Sequence, residues 1–265
     1  MQPATNSSDR DFVDVTEVTG DHVSQEQVDR MCHRYYWARE FCEGKDVLEI
    51  ACGSGQGLGY LRRFATRISG GDISTTLLDR ARRHYGNQIT LTQLDAHRLP
   101  FPDAAVDVVI LFEAIYYLKD IPLFLTESKR VLRPGGVLLI ATANKDLEDF
   151  NPSPHSHTYL GAREMEAVFQ SGGFSVECFG HMPVKAWGLR QRVLRPIKRF
   201  AASTGLMPKS KRGKQLLKRF VFGKLVGMPA EIEPNMMDYE PPERLRSGEP
   251  DRIHKVLYCA ATANR

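Results

Sequence analysis

The chain has 265 residues, of which 42% are hydrophobic and 26% charged, and its net charge is +4. This composition is typical of an ordinary soluble protein with one large domain, or with a domain and an insert. The longest apolar runs have the length of strands, which argues against a membrane-spanning helix.

The N-terminal residues are polar and lack the apolar core of a signal peptide, so we expect a disordered segment over residues 1–20. The five cysteines show no CxxC spacing of the kind that binds metals. An odd number of cysteines in a soluble protein indicates reduced thiols. Together these features predict a cytoplasmic protein. We interpret Cys52, which lies in a glycine-rich stretch, as a small filler and not as a nucleophile.

The first predicted element is a helix. Ser24 and Gln27 have the spacing of a capping box, which marks a helix start. The helix is expected to continue through Met31 and the aromatic cluster 35–37 to Phe41.

A glycine-rich stretch follows an apolar run over residues 47–51 that only Glu49 interrupts. Glycine occupies every second position of this stretch, at Gly53, Gly55, Gly57 and Gly59. The pattern predicts a buried strand, a tight turn and a helix start. Glycine tolerates a positive φ and has no Cβ to hold a ligand away, and amides at a helix N-terminus can face that ligand. The turn therefore predicts a site for a nucleotide-like molecule.

Glu49 indicates which nucleotide is bound. Dinucleotide-binding folds also use a glycine-rich turn, so the glycine spacing alone is ambiguous. A carboxylate four residues before the first glycine would repel a pyrophosphate and suits a cationic group. S-adenosylmethionine (SAM) carries an ammonium and a sulfonium but no phosphate. The turn therefore favours SAM over NAD, which stays as an alternative.

The next two predicted strands also end in acidic residues. Residues 68–72 end in Asp72, whose carboxylate can accept hydrogen bonds from both ribose hydroxyls. Residues 89–94 are followed by Asp95, which can accept from an adenine amino group. Ile73 or Phe101 would flank the base.

Two further segments complete a recognisable series. Residues 106–111 form a fourth apolar run, and the turn 130–136 precedes a fifth strand over 137–143. On these motifs the chain resembles the class I SAM-dependent methyltransferases, in particular the broad group that includes the ubiquinone/menaquinone C-methyltransferases. The resemblance covers residues 45–180 and the last strand. It implies a Rossmann-like, seven-stranded, mostly parallel sheet with helices on both faces and an antiparallel last strand.

The resemblance also implies roles for individual residues. Glu49 and Gly53 would hold the methionine ammonium, while Gly55 and Gly57 would allow close approach of the ligand. The helix before the first strand would cover the site, with Arg34 and Tyr35 near the methionine carboxylate. Alternatively, the aromatic residues of that helix only pack on the sheet. No metal is expected. The implied SAM-binding set is Tyr35, Glu49, Ala51, Gly53, Gly55, Gly57, Asp72, Ile73, Asp95, Ala96 and Phe112.

The segment after the fourth strand is where this family faces methyl donor to acceptor. Glu113 would orient or deprotonate an acceptor, or would only favour a helix start through its charge. Tyr116 would position a substrate or belong to the core. His155 and His157, in a proline-containing loop, are candidate general bases or plain surface residues. This segment lacks the Asn/Asp-Pro-Pro-aromatic signature of many DNA and protein amino-group methyltransferases.

The C-terminal part departs from the minimal fold. A helix over 159–172, a strand over 174–179 and a final strand over 256–261 are expected. We divide the chain into a SAM-binding domain over 21–180 and 253–265 and a mainly helical basic insert over 181–252. Residues 185–224 contain thirteen lysines and arginines and no acidic residue, so the rest of the chain has a net charge of −9.

Four interpretations of the insert are open. It would be a structural lid or dimer arm, a site for an anionic acceptor, a segment that docks on a membrane surface, or a nucleic-acid site. The last is disfavoured because no RNA-binding motif is present. The sequence thus predicts a methyltransferase that acts on an oxygen of a small or carrier-linked acceptor, such as a sugar of a glycan precursor. Methylation of nitrogen or carbon, or a non-catalytic SAM-binding subunit, are the alternatives.

Overall fold

The computed structural model describes residues 12–16, 18–184 and 225–264. Short 3-10 helices lie at Phe12–Asp14 and Ile115–Tyr117. The α-helices are α1 Gln25–Cys42, α2 Leu58–Arg62, α3 Thr75–Tyr85, α4 Ile121–Val131 and α5 Ala162–Ser171. The strands are β1 His22–Ser24, β2 Asp46–Ile50, β3 Arg67–Asp72, β4 Thr90–Gln93, β5 Val106–Phe112, β6 Leu132–Ala143, β7 Phe174–Pro183, β8 Leu225–Gly227, β9 Glu243–Arg244 and β10 His254–Ala263.

The central sheet has the strand order β4-β3-β2-β5-β6-β10-β7-β9. The strands from β4 to β6 are parallel, and β10 inserts antiparallel between β6 and β7. The expectation of a mostly parallel sheet with an antiparallel last strand is therefore confirmed. The sheet has eight strands instead of seven, because the two-residue strand β9 pairs with the outer edge of β7. A separate antiparallel pair joins β1 to β8.

Helices cover both faces of the sheet. On one face Trp37 of α1 stacks on Tyr258 of β10, with ring centroids 4.9 Å apart. On the other face Phe124 of α4 and Phe169 of α5 are fully buried. Burying an apolar side chain of this size contributes about 1.5–3 kcal/mol, so these contacts hold the helices on the sheet.

α1 combines the two roles that the sequence left open. The capping box between Ser24 and Gln27 is present, which confirms the predicted helix start. Tyr36 and Trp37 are buried in the core, as simple packing requires. Arg34 and Tyr35, one step along the helix, instead face a cavity.

The N-terminal region differs from the expected disordered segment. Phe12–Asp14 forms a 3-10 helix, and Val18 is only 3% exposed. The second half of the segment 1–20 is therefore ordered where it is described, because Phe12 and Val18 bury apolar side chains. Residues 1–11 lie outside the described part of the chain.

The basic insert is described only at its ends. Residues 185–224, where helices of the insert were expected, lie outside the described residues. Residues 181–183 belong to β7, and residues 225–252 contain β8 and β9 but no helix. None of the helices in the described parts of the chain has the length and apolarity that a bilayer crossing requires.

Candidate functional site

A cavity of about 550 Å³ lies at the carboxyl ends of β2, β3 and β5. β2 pairs with β3 on one side and with β5 on the other, so the strand order reverses at this point. A crevice opens where the strand order of a parallel sheet reverses, and ligands of such folds bind there. Of the residues that the sequence predicted for the site, those that line the cavity are Tyr35, Ala51, Gly53, Asp72, Ile73, Asp95, Ala96, Phe112, Glu113, Tyr116 and His157.

The turn after β2 is shaped by residues with a positive φ. Gly53 has φ 58° and Gly55 has φ 83°, which glycine adopts without strain. Ala51, with φ 54°, adopts the same region at a cost. The amide of Gly53 donates to Oδ2 of Asp72 at 2.9 Å, which ties the turn to the end of β3.

Gly55 and Gly57 are closely packed by aromatic side chains. Neither residue lines the cavity. A Cβ on Gly57 would overlap the ring of Tyr35, and a Cβ on Gly55 would lie 3.0 Å from Tyr85. The space beside these two glycines is filled by aromatic side chains of the protein, and their role in admitting the ligand stays a prediction.

Glu49 lies behind the wall of the cavity. Its side chain is buried, and Oε1 accepts a short hydrogen bond from the hydroxyl of Tyr35. Burial raises the pKa of Glu49 to about 7, although the bond from Tyr35 and the nearby Arg34 charge oppose the shift. Glu49 does not line the cavity, so the structure does not show the predicted direct contact with a bound ammonium. Burial also holds the pKa of Tyr35 well above its usual range.

Asp72 and Ile73 lie at the end of β3. Besides the Gly53 amide, the carboxylate of Asp72 accepts from the amide of Ser74 at 2.9 Å through Oδ1. The side chain is nearly buried and borders the cavity. Each carboxylate oxygen has a second lone pair, which can accept from a ligand hydroxyl.

Asp95 and Ala96 follow β4 at the same edge of the sheet. Oδ1 of Asp95 accepts from the amide of His97 at 2.9 Å and lies 2.7 Å from His97 Nδ1. Nε2 of His97 accepts from the amide of Asp120 at 3.3 Å. These contacts favour the tautomer with the proton on Nδ1, and they connect the loop after β4 to the start of α4.

Glu113 places a carboxylate at the end of β5, beside the glycine-rich turn. It has φ 52°, and its amide donates to the carbonyl of Ala141 at 2.8 Å. Oε2 accepts from the hydroxyl of Tyr116 at 3.3 Å, and Oε1 lies 3.9 Å from Arg34 Nη1. Burial and the charge of Glu113 raise the pKa of Tyr116 far above its usual range, so the phenol stays protonated.

The two loop histidines are separated by the structure. His157 lines the cavity, and its amide donates to the carbonyl of Tyr116 at 2.7 Å. His155 is exposed, has φ 66° and does not line the cavity. Both histidines are exposed and both stay candidate bases, and His157 is the one that lines the cavity.

Several cavity residues were not foreseen from the sequence. Arg30 lies four positions before Arg34 on α1, and this spacing on one helix face was an available signal. Phe12 packs on Tyr117 with ring centroids 5.1 Å apart, and the hydroxyl of Tyr117 lies 2.6 Å from Ser153 Oγ. The other cavity residues that the sequence analysis did not single out include Thr16, Gln56, His97, Leu118 and Leu123.

The cavity fits a ligand with cationic and N–H groups. Among the described residues, Oε2 of Glu49 and Oε1 of Glu113 are buried without a hydrogen-bond partner. Oxygen atoms of this kind are costly unless a donor reaches them. Glu113 lines the cavity, so a bound ammonium or hydroxyl would supply a donor to its oxygen. Within the described parts of the chain, no group of three or more His, Cys, Asp or Glu side chains could hold a metal ion.

Part of the chain is similar to known methyltransferases. Residues 48–140 match the family "Methyltransferase domain". A probable S-adenosylmethionine-dependent methyltransferase of Mycolicibacterium smegmatis is 36% identical over 56% of this chain and 56% of its own length. A fatty-acid O-methyltransferase of the same organism is 39% identical over 38% of each chain. The chain spans about half the length, or less, of these two relatives.

Solved structures share the fold. The YcgJ protein of Bacillus subtilis superposes with a TM-score of 0.55 over 91% of this chain and 99% of its own, at 16% sequence identity. The resemblance to the class I SAM-dependent methyltransferases is therefore confirmed, since the matched family, the relatives and the sheet order agree.

Proposed function

We propose that this chain, which carries a class I SAM-dependent methyltransferase domain, binds SAM in the cavity and methylates an acceptor beside Glu113. One observation carries the proposal. The carboxylates of Asp72, Asp95 and Glu113, which come from three strand ends, border the same cavity as Gly53 of the positive-φ turn. Carboxylates at the first two positions suit the hydroxyls and amino group of an adenosine, and the third faces the acceptor.

The donor half of the cavity is assigned as follows. Asp72 would accept from the ribose hydroxyls, and Asp95 with the backbone of Ala96 would hydrogen-bond the adenine. The methionine carboxylate would pair with Arg34, because the hydroxyl of Tyr35 is committed to Glu49. Glu49 would act on the ammonium through its charge.

The acceptor half of the cavity provides a base. SAM supplies a methyl group that its sulfonium has already activated, so the protein chiefly aligns the acceptor and excludes water. Glu113 would take the proton of an acceptor hydroxyl as the oxygen attacks the methyl carbon. The hydroxyl of Tyr116 and the guanidinium of Arg34 would hold the carboxylate in place. His157 is the second candidate base.

An oxygen acceptor is the favoured substrate class. One relative is named a fatty-acid O-methyltransferase, which supports O-methylation of a small or carrier-linked acceptor. The apolar side chains of Phe12, Val15 and Met31 on this side of the cavity suit an acceptor with an apolar body. A sugar of a glycan precursor stays an alternative, as does methylation of nitrogen or carbon.

We also propose roles for the basic segment of the chain. The basic residues 185–224 would attract an anionic acceptor or contact a membrane surface from the cytoplasmic side. A homodimer that uses this segment as an arm is the structural alternative.

Incubation with methyl-labelled SAM tests the proposed activity. The purified chain is mixed with a cell extract that has been separated into lipid and water-soluble fractions, and the label is followed by mass spectrometry. We expect label on an oxygen of a molecule in one fraction. Binding of S-adenosylhomocysteine (SAH) without any transfer of label would support the non-catalytic alternative.

Glu113→Gln tests the assigned base. We expect kcat to fall by about 10²–10⁴-fold, because the amide cannot accept the proton, while the affinity for SAH stays within about twofold. Glu177→Gln, at an exposed position far from the cavity, is the matched control. A variant that retains the wild-type kcat would move the role of base to His157.

A further inference from the structure

The segment that returns from the basic insert contacts the outer side of the glycine-rich turn. We define residues 228–237 as the return segment. The amide of Ile232 donates to the carbonyl of Gln56 at 2.8 Å, and the Ile232 side chain is fully buried. Gln56 belongs to the turn and lines the cavity on its inner side. One residue of the donor site is therefore held from outside by the return segment.

Glu231 provides a second contact with the same turn. Its carboxylate occupies the space over Gly59, and a Cβ on that glycine would overlap it. Oε2 of Glu231 lies 2.9 Å from His84 Nε2, and Oε1 lies 3.8 Å from Arg63 Nη2. The side chain thus bridges α2 and α3 across the end of the turn.

Tyr85 of α3 completes this outer layer. Its hydroxyl donates to the carbonyl of Gly55 at 2.7 Å and accepts from the amide of Gly59 at 3.1 Å. The turn is therefore fixed at its outer side by polar contacts from α3 and from the return segment. These contacts are made by residues that do not border the cavity, apart from Gln56.

The return segment is itself anchored to α1. The hydroxyl of Tyr36 donates to the carbonyl of Glu233 at 2.6 Å and accepts from the amide of Met236 at 3.0 Å. β8, immediately before the segment, pairs with β1 at the start of α1. The segment therefore lies as a fixed strap between the covering helix and the turn.

We infer that Glu231 and Ile232 are positioning residues for the SAM-binding turn. This inference rests on the proposed function. Four glycines in seven residues leave the turn with large conformational freedom, and ordering it on binding would reduce affinity. The return segment donates a hydrogen bond to the carbonyl of Gln56 and fills the space over Gly59. It thereby holds the turn in its binding shape before SAM arrives.

Two variants of Glu231 test the inference. In Glu231→Gln and Glu231→Ala we expect the Kd for SAH and the KM for SAM to rise by roughly three- to tenfold, within the range that loss of one ordinary hydrogen bond produces. We expect no matching fall in kcat. Glu233→Gln is the matched control, because this neighbouring acid pairs with Arg63 but touches no residue of the turn. Equal SAH affinity in Glu231→Ala and the control would overturn the inference.

Hydrogen–deuterium exchange of the ligand-free protein separates this inference from the proposed function. In Glu231→Ala we expect the amides of residues 55–61 to exchange faster than in the control. If the wild type bound no SAH, the proposed function would fail, and the exchange rates would still decide whether Glu231 holds the turn. Unchanged exchange at the turn would overturn the inference.

Gly59→Ala provides a test whose result should differ between two backgrounds. The backbone of Gly59 is helical and permits alanine, and the atoms nearest to an added Cβ belong to the carboxylate of Glu231. We expect Gly59→Ala alone to weaken SAH binding severalfold and to leave it unchanged in the Glu231→Ala background. The same loss in both backgrounds would overturn the inference, because it would show that Gly59 acts without Glu231.

Discussion

Backbone strain at the candidate site is concentrated in two residues that are not glycine, Ala51 and Glu113. Both follow directly on neighbouring parallel strands, and both have φ between 50° and 55°. This region costs a residue with a Cβ about 1–2 kcal/mol. The bond from the Glu113 amide to Ala141 helps to fix the conformation. The strained conformation has a functional consequence, because it directs the Glu113 carboxylate into the crevice beside the glycine-rich turn.

Glu49 predicts a proton linkage of SAM binding. Its pKa of about 7 lies above the usual 4.5 of a glutamate, so the buried acid favours folding at low pH. This contribution is lost as the pH rises through about 7. A cationic ligand nearby stabilises the ionised form, so binding should release a proton. We expect SAH affinity to fall by up to about tenfold for each pH unit from 7 to 5.

Calorimetry in buffers of different ionisation enthalpy measures this release directly. Glu49→Gln should bind SAH more weakly at pH 8 and with no pH dependence between 5 and 7, because the amide does not titrate. Asp79→Asn is a suitable control, since Asp79 is exposed, pairs with Arg82 and does not line the cavity. A wild type that binds SAH without releasing a proton would contradict the assigned role of Glu49.

At the scale of elements, α1 connects three parts of the molecule. Trp37 faces the sheet, Arg34 faces the cavity, and Tyr36 holds the return segment. Because an α-helix has 3.6 residues per turn, the side chains of neighbouring residues point in different directions and reach different surroundings. This explains why the aromatic cluster serves both packing and the site.

The elements of the donor site could be predicted because their signals are local. A short apolar run that ends in an acid or a glycine marks a strand end, which is how Asp72 and Asp95 were found. The purpose of Gly57 could not be predicted, because its partner Tyr35 approaches only through the docking of α1. The contact of Glu231 with Gly59 joins segments far apart in the chain, and polar loop residues carry no pattern that reveals such a contact.

A cluster of histidines beside α1 predicts that the stability of the fold is sensitive to acid. The rings of His33 and His181 stack with centroids 3.3 Å apart, and His33 Nδ1 lies 2.9 Å from the hydroxyl of Tyr258. Burial lowers the pKa of His33, and burial with the neighbouring His33 and His254 lowers the pKa of His181 to about 3.

The stability of the folded protein should therefore decrease as the pH is lowered through a defined window. The folded-state pKa of His181 lies below its usual value of 6.5, so the unfolded chain binds more protons between about 3 and 6.5. We expect the Tm to fall as the pH is lowered from 7 to 5. In His181→Phe, which keeps the stacked ring without titration, the fall should be smaller by about 2–4 °C. His97→Phe, outside this cluster, is the control, and equal curves for both variants would contradict the prediction.

At the scale of the whole molecule, charge is distributed unevenly along the chain. Thirteen basic residues lie in 185–224, while the rest of the chain is acidic overall. The described residues that follow this segment contact the candidate site, since β8 pairs with β1 and the return segment contacts the turn.

The salt dependence of catalysis tests the proposal of an anionic acceptor. If residues 185–224 attract the acceptor, its KM should rise severalfold between low and high ionic strength. At 0.1 M salt, interactions between exposed charges more than about 10 Å apart are largely screened. The KM for SAM should change little.

Replacing Lys211, Arg212, Lys214, Lys218 and Arg219 with glutamine should raise the acceptor KM at low salt and remove its salt dependence. Arg80→Gln with Arg83→Gln, on exposed positions of α3, is the matched control. An acceptor KM that is flat in salt would contradict the proposal and leave the structural arm as the role of the segment.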